Sequence, residues 1–286
     1  MAGVLNTVVN AVLISALYAL VAIGFTLIFG VGGVLNLSHG ANITVGAFTA
    51  YFVTRVIELN VWVGAFAALV VPALFAAALY LVMIRRVQDN PITVMILTLV
   101  VAIVVEEVVK ILVGTQPQAI PSLFAGHIAV AGGVQSNRVL AFALSWVVIG
   151  VLFATVNYSR TGKAILATSM STRGASLVGI ETDRMYLYTW MIAGALAGLA
   201  GVFLGSIQTA DWAMGREPLV LSFSIVVLGG IGSIRGSLVG AYIIGFLEVF
   251  TVSYVDSSLS GLASLVVLVV ILLVKPEGLF GRELEE

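Results

Sequence analysis

The sequence contains no cysteine, which excludes a disulfide framework, thiolate chemistry and any cysteine metal site. Charge is scarce as well. Its 286 residues include 13 Lys or Arg and 14 Asp or Glu, while 60% are hydrophobic. Soluble domains run near ~25% charged, and a water-exposed surface built from 9% charged residues would leave apolar patches large enough to aggregate. Lipid must therefore cover most of the surface. A net charge of −1 without any basic tract argues against nucleic acid as a partner. The two histidines, His39 and His127, lack the spacing of a metal pair, and no H-E-x-x-H occurs.

What the chain has instead is long apolar runs. The first charged side chain is Arg55, and the run Val8 to Phe29 is long enough to be a retained membrane helix rather than the short core of a secretory signal. About 20 apolar residues cross the ~30 Å hydrocarbon core. Cutting at charges, prolines and glycine clusters gives nine segments: Val8–Phe29, Ser38–Thr54, Val61–Ile84, Ile92–Val113, Val139–Val156, Tyr186–Gln208, Pro218–Leu228, Ser237–Tyr254 and Leu259–Val274. The fold class expected is all-α: a polytopic transmembrane helix bundle of about eight to ten membrane segments, one transmembrane domain over 1–286. Ser38–Thr54 and Pro218–Leu228 are short and adjoin the clusters Gly30/Gly32/Gly33 and Gly229/Gly230/Gly232. They read either as ordinary short helices or as broken or half helices, the kind that marks transport pathways.

Positive charge sets the orientation. Arg85 and Arg86 close the third segment and Arg160, Lys163, Arg173 and Arg184 crowd residues 157–185, which puts both loops in the cytoplasm and the N-terminus outside. Small residues such as Gly194-xxx-Gly198 and Gly201-xxx-Gly205 let backbones approach closely, as helices packing inside lipid require. Pro72 is expected to kink the third segment.

No catalytic site emerges. The stretch Ser159 to Ala164 resembles a phosphate loop only superficially, since Asn157 stands where the first glycine belongs and Ala164 replaces the magnesium-binding Ser or Thr. Ionisable groups inside apolar segments are costly and mark function or pairing. Glu106 and Lys110 are i, i+4 and can form an interfacial ion pair, or meet a proton or substrate. Glu248 has no sequence partner and is either functional or an interhelical hydrogen-bonding position. Asn36, Ser38 and His39 can present donors and acceptors to a polar solute, cap the following helix, or both. These residues, with Gly40, Gly229, Gly230, Gly232, Ser233 and Glu248, are the expected translocation path, and the two breaks are expected to approach one another. The loop 157–185 carries one helical pattern near Ala167 to Leu177 ending at Gly179; a basic loop by itself serves only as a topology determinant, and its own helix favours a docking surface for a cytoplasmic partner.

The runs Asn36-Leu37-Ser38-His39-Gly40, Ile120-Pro121-Ser122-Leu123-Phe124, Tyr158 to Ala164, Ala175 to Arg184 and Val227 to Ser233 together resemble the membrane permease of branched-chain amino acid ABC importers, the shorter of the two permeases in those systems. The resemblance implies a non-enzymatic subunit in the cell membrane, the inner one where there are two. Its implied partners are a second permease subunit, two cytoplasmic ATPase subunits that bind the ATP, and an extracytoplasmic solute-binding protein. It implies a coupling helix at Ala175 and Gly179, flanked by Arg160, Gly162, Lys163 and Asp183. Ser169-Met170-Ser171-Thr172 departs from the acidic or amide residues that relatives often carry there. Permeases for urea or short amides look much the same. A stand-alone secondary transporter is the rival from another class, for which Glu106, Glu107 and Glu248 are a thin set of relay carboxylates.

Overall fold

Eleven α-helices, a π-helical turn (Phe52–Val56), two short 3-10 turns (Ile84–Arg86 and Ser257–Leu259) and one two-stranded hairpin account for the regular structure of the residues described, 2–128 and 133–280 of a computed structural model. Six helices are long and apolar enough to cross a membrane: α1 (Ala2–Gly32), α3 (Val61–Val82), α4 (Pro91–Val113), α5 (Ser136–Tyr158), α8 (Thr182–Gln208) and α10 (Ile234–Tyr254). Three more are apolar but short, namely α2 (His39–Tyr51), α9 (Arg216–Gly229) and α11 (Leu262–Val274), with 13, 14 and 13 residues. At 1.5 Å per residue each falls short of the ~30 Å core. All nine apolar segments expected from the sequence are thus helical, and six of them have full spanning length. The remaining pair, α6 (Arg160–Met170) and α7 (Thr172–Leu177), form the polar loop after α5.

Local signals explain the boundaries. Gly33, at φ +63, ends α1 with its N–H on the Phe29 carbonyl, the left-handed cap that glycine adopts without a Cβ penalty. Asn60 caps α3 and Asn90 caps α4, each accepting a backbone N–H of the first turn. Pro91 occupies the first turn of α4, where its missing N–H costs nothing. α3 runs through Pro72 as one helix.

Burial separates centre from periphery. The most apolar stretch of α1 is 83% buried and that of α8 72%, against 22% for α4 and 28% for α5. α1 and α8 are therefore encased by protein, while α4, α5 and α11 turn Ile111, Val147, Val151 and Leu273 outward as a lipid-facing surface. Small residues make the central contacts: Gly194 and Gly198 of α8 rest on Pro72 and Ala68 of α3, and Gly201 rests on Ile43 of α2. Proline has no N–H to offer the Ala68 carbonyl four residues back, and this is the oxygen against which Gly198 packs.

The bundle has two ends. At one, Arg85 pairs with Asp183, Tyr80 stacks on Tyr186, and Gly30 meets Gly232. At the other, Tyr254 donates to Thr7, Arg138 to Asn10, and Gln118 pairs by backbone with Ala210. The hairpin β1 (His127–Ile128) and β2 (Val134–Gln135) precedes α5 at this second end.

Candidate functional site

Asn36, Ser38 and His39 are all buried where the chain re-enters the bundle between α1 and α2. The Ser38 side chain makes no cap. Instead the Asn36 Oδ1 accepts from the Ser38 N–H at 3.0 Å and from its hydroxyl at 2.6 Å, an Asx turn that sets the entry into α2. His39 Nε2 lies 3.0 Å from the Val21 carbonyl of α1. A carbonyl only accepts, so the ring carries its proton on Nε2 and leaves Nδ1 as an acceptor. That Nδ1, Asn36 Nδ2 and Asn42 Oδ1 are buried without a partner among the described residues. Gly24 makes room for the imidazole, and Phe25 meets it edge-on at 5.7 Å.

The next residue, Gly40, carries the geometry of the site. A Cβ there would overlap the Gly215 carbonyl, and a Cβ on Gly215 would overlap that of Gly40. The two short helices α2 and α9 therefore meet start to start. The expected approach of the two glycine breaks takes another form: Gly232 packs on Gly30 at the end of α1, whereas His39 and Gly40 face Gly24 and Gly215, next to the opposite end of α9. Sequence patterning missed Gly215 because nothing local marks it as a partner of Gly40.

The break after α9 is closed. Gly230 and Gly232 take φ of +99 and +78, and Ser233 caps α10 by accepting the Gly236 N–H at 3.0 Å. Leu279 and Phe280 donate their N–H groups to the carbonyls of Leu228 and Gly229, and Gly278 fits against Gly230. Of the residues expected to line the path, Gly229 thus has its carbonyl occupied by residue 280 of the chain itself.

Glu248 is 3% exposed. Its Oε1 accepts from the Gly261 N–H at 2.7 Å and the Ser260 hydroxyl at 2.8 Å, just before α11, so it has interhelical partners that lie beyond the reach of local sequence patterns. The expected Glu106–Lys110 pair does not form. Arg216 of α9 takes Glu106 through two hydrogen bonds of 2.8 and 2.5 Å, while Lys110 pairs with Glu107 at 2.6 Å and lies over the Trp212 ring.

The expected single helix of the loop 157–185 is two. Ser171 is extended (φ −163, ψ 109), and its side chain accepts the Gly174 N–H at 2.9 Å, which stops α6 and starts α7. Gly162 packs against the backbone of Thr155 and Val156, and Ala175 is buried within the chain itself. Neither is free to enter a partner's groove. Gly179 ends α7 at φ +82, and Asp183 is held by Arg85 at 2.6 Å. Outward from the loop point Arg160, Lys163 and two apolar side chains that the sequence reading passed over, Leu177 and Val178, 81% and 76% exposed.

Residues 7–274 match the family described as "Branched-chain amino acid transport system / permease component". The chain belongs to this permease family. It is a multi-pass membrane protein and a permease component of a branched-chain amino acid ABC transport system, not an enzyme. The permease is similar to the high-affinity branched-chain amino acid transport system permease protein LivH of Escherichia coli K12, at 28% identity over 97% of this chain and 96% of that protein. The high-affinity branched-chain amino acid transport system permease protein BraD of Pseudomonas aeruginosa is 26% identical over 97% of this chain and 96% of that protein. The ribose import permease RbsC of Escherichia coli K12 is 27% identical over 85% and 77%. Among solved structures, PsaBC from Streptococcus pneumoniae in complex with Fab matches 95% of this chain and 92% of that one with a TM-score of 0.52 and 16% identity, a likeness of fold alone. Permeases of LivH type belong to multi-subunit ABC importers, so the lack of a phosphate loop in this permease fits its place in such a system.

Proposed function

We propose that this permease forms, with a second permease subunit, the translocation path for branched-chain amino acids delivered by an extracytoplasmic solute-binding protein, driven by two cytoplasmic ATPases that bind the ATP. The whole of 1–286 acts as one transmembrane domain with a coupling loop at 157–185. The N-terminus lies outside, because the Arg85 and Arg184 loops share one end of the bundle and basic loops stay in the cytoplasm. The path runs past Asn36, Ser38, His39 and Gly40, where α2 and α9 meet start to start and the positive ends of two helices converge.

The observation that carries the coupling reading is the exposure of the adjacent apolar side chains Leu177 and Val178 on a loop that also exposes Tyr158, Leu166 and Met170. Surface-exposed apolar pairs rimmed by charge favour a protein partner, and Arg160 and Lys163 stand on the same loop. Urea or short amides as solute, or a transporter acting alone, are the competing outcomes. Replacing Leu177 by Glu tests the reading. The variant is expected to elute like the unaltered permease yet lose co-purification of the ATPase and at least about tenfold in uptake, the effect of removing ~1.4 kcal/mol of interface energy. Full uptake with the ATPase retained would overturn the coupling role.

A further inference from the structure

At the end of the bundle that carries the N-terminus, a cavity of about 610 Å³ opens between α1, α5, α8, α9 and α10. None of the four path residues proposed above lines it, and of the residues expected from sequence to line the path only Glu248 does. Its size suits a small organic ligand, for which sites run ~300–1,000 Å³. Ile14, Ile207, Val249 and Val252 supply an apolar wall, and four ionisable side chains from four helices face the same space: Tyr18, Arg138, Glu217 and Glu248.

Their hydrogen bonding is incomplete in a specific way. Glu248 Oε2 and Arg138 Nε are buried without a partner among the described residues, although buried polar atoms are almost always paired. Arg138 uses Nη1 on Asn10 Oδ1 at 2.8 Å, which orients the guanidinium without filling it. The Ser260 hydroxyl lies 2.7 Å from Glu217 Oε1 and 2.8 Å from Glu248 Oε1. A hydroxyl has one hydrogen to give, so two carboxylates share a single donor and one of these contacts brings two acceptors together. A further positive, hydrogen-donating group completes the acidic side, and an acceptor completes the arginine.

We propose that this cavity is a recognition site for a zwitterionic α-amino acid, with Glu248 and Glu217 taking the ammonium group, Arg138 and the Tyr18 hydroxyl taking the carboxylate, and the apolar wall taking the side chain. A neutral amide or a sugar supplies neither charge, so the charges separate amino acids from the other solutes this fold can carry. The assignment rests on the reading of the chain as an amino-acid permease and names the site within it.

The test uses the full-length permease in lipid nanodiscs and leucine as the probe, read by saturation-transfer difference NMR. Leucine methyl signals are expected in the unaltered protein. Glu248→Gln and Arg138→Gln should each weaken apparent affinity about tenfold, as loss of a charge-assisted hydrogen bond does. Competition by 4-methylpentanoate, which lacks the ammonium, and by 3-methylbutylamine, which lacks the carboxylate, should be weaker than by leucine itself. Tyr18→Phe and Glu217→Gln, each the loss of a single polar function, serve if either first variant fails to fold. Unchanged leucine signals in the folded variants, competition by either analogue as strong as by leucine itself, or no leucine signal from a permease that imports leucine once assembled would each overturn the site. Loss of the ATPase-coupling result with leucine binding retained would instead strike the importer reading and leave the cavity assignment standing.

Discussion

Gly198 occupies a point where three helices converge. A Cβ there would overlap the Ala68 carbonyl and the Pro72 ring of α3, while Gly46 of α2 sits against its backbone from another side. Valine at this position must push two helices apart, and overpacking of this kind costs about 1–3 kcal/mol. We expect Gly198→Val to lower the thermal unfolding midpoint of the detergent-solubilised permease, with Gly150→Val, at a helical glycine with open space around it, as the smaller-effect control. Equal midpoints for the two would mean that the α2–α3–α8 contact is not close in solution. This stripe was legible in the sequence because small residues four apart share a helix face whatever the partner is. The partner of Glu106 was not legible. Local spacing offered Lys110, but the bond runs to Arg216 across 110 residues, and only the placing of α9 beside α4 brings the two together.

Among the elements, the loop after α5 shows how a cap overrides a continuous helical pattern. The apolar spacing runs unbroken through residues 167–177, yet Ser171 accepts the Gly174 N–H and starts a new helix. Serine competes for backbone donors more effectively at a helix start than inside one, so the pattern alone could not place the break. The break re-aims α7, burying Ala175 and leaving Leu177 and Val178 outward. Removing the cap should loosen this helix first. Ser171→Ala is expected to cost about 1 kcal/mol locally and so to raise amide exchange at Gly174 about fivefold, measured by hydrogen–deuterium exchange, with exchange in α8 unchanged. Unchanged exchange at Gly174 would show that packing of Ala175, not the cap, holds α7. The closure of Leu228 and Gly229 by the C-terminal segment was likewise invisible in sequence, because backbone donors at 279 and 280 carry no side-chain signature.

For the whole molecule, six of the nine apolar segments were readable because spanning lipid demands length and apolarity that few other constraints mimic, and the three short ones by their apolarity between glycines, prolines and charges. What could not be read was which helices lie at the centre, since α1 and α4 are equally apolar by mean hydropathy, 2.5 in each, yet one is encased and the other faces lipid. Sidedness follows from charge placement and is directly testable in this chain, because the absence of cysteine leaves no background for thiol labelling. Asp89 is exposed in the loop after Arg86, at the end where Arg85 meets Asp183. Ser257 is exposed in the connection after Tyr254, at the end where Tyr254 meets Thr7. Basic residues concentrate at the first end and are kept in the cytoplasm during insertion. A membrane-impermeant maleimide added to intact cells should therefore label Ser257→Cys and leave Asp89→Cys untouched until the membrane is permeabilised. Labelling in the reverse order would invert the bundle. The cavity at Glu248 would then open to the cytoplasm, where an importer releases its solute, and the exposed Leu177 and Val178 would point away from any cytoplasmic ATPase.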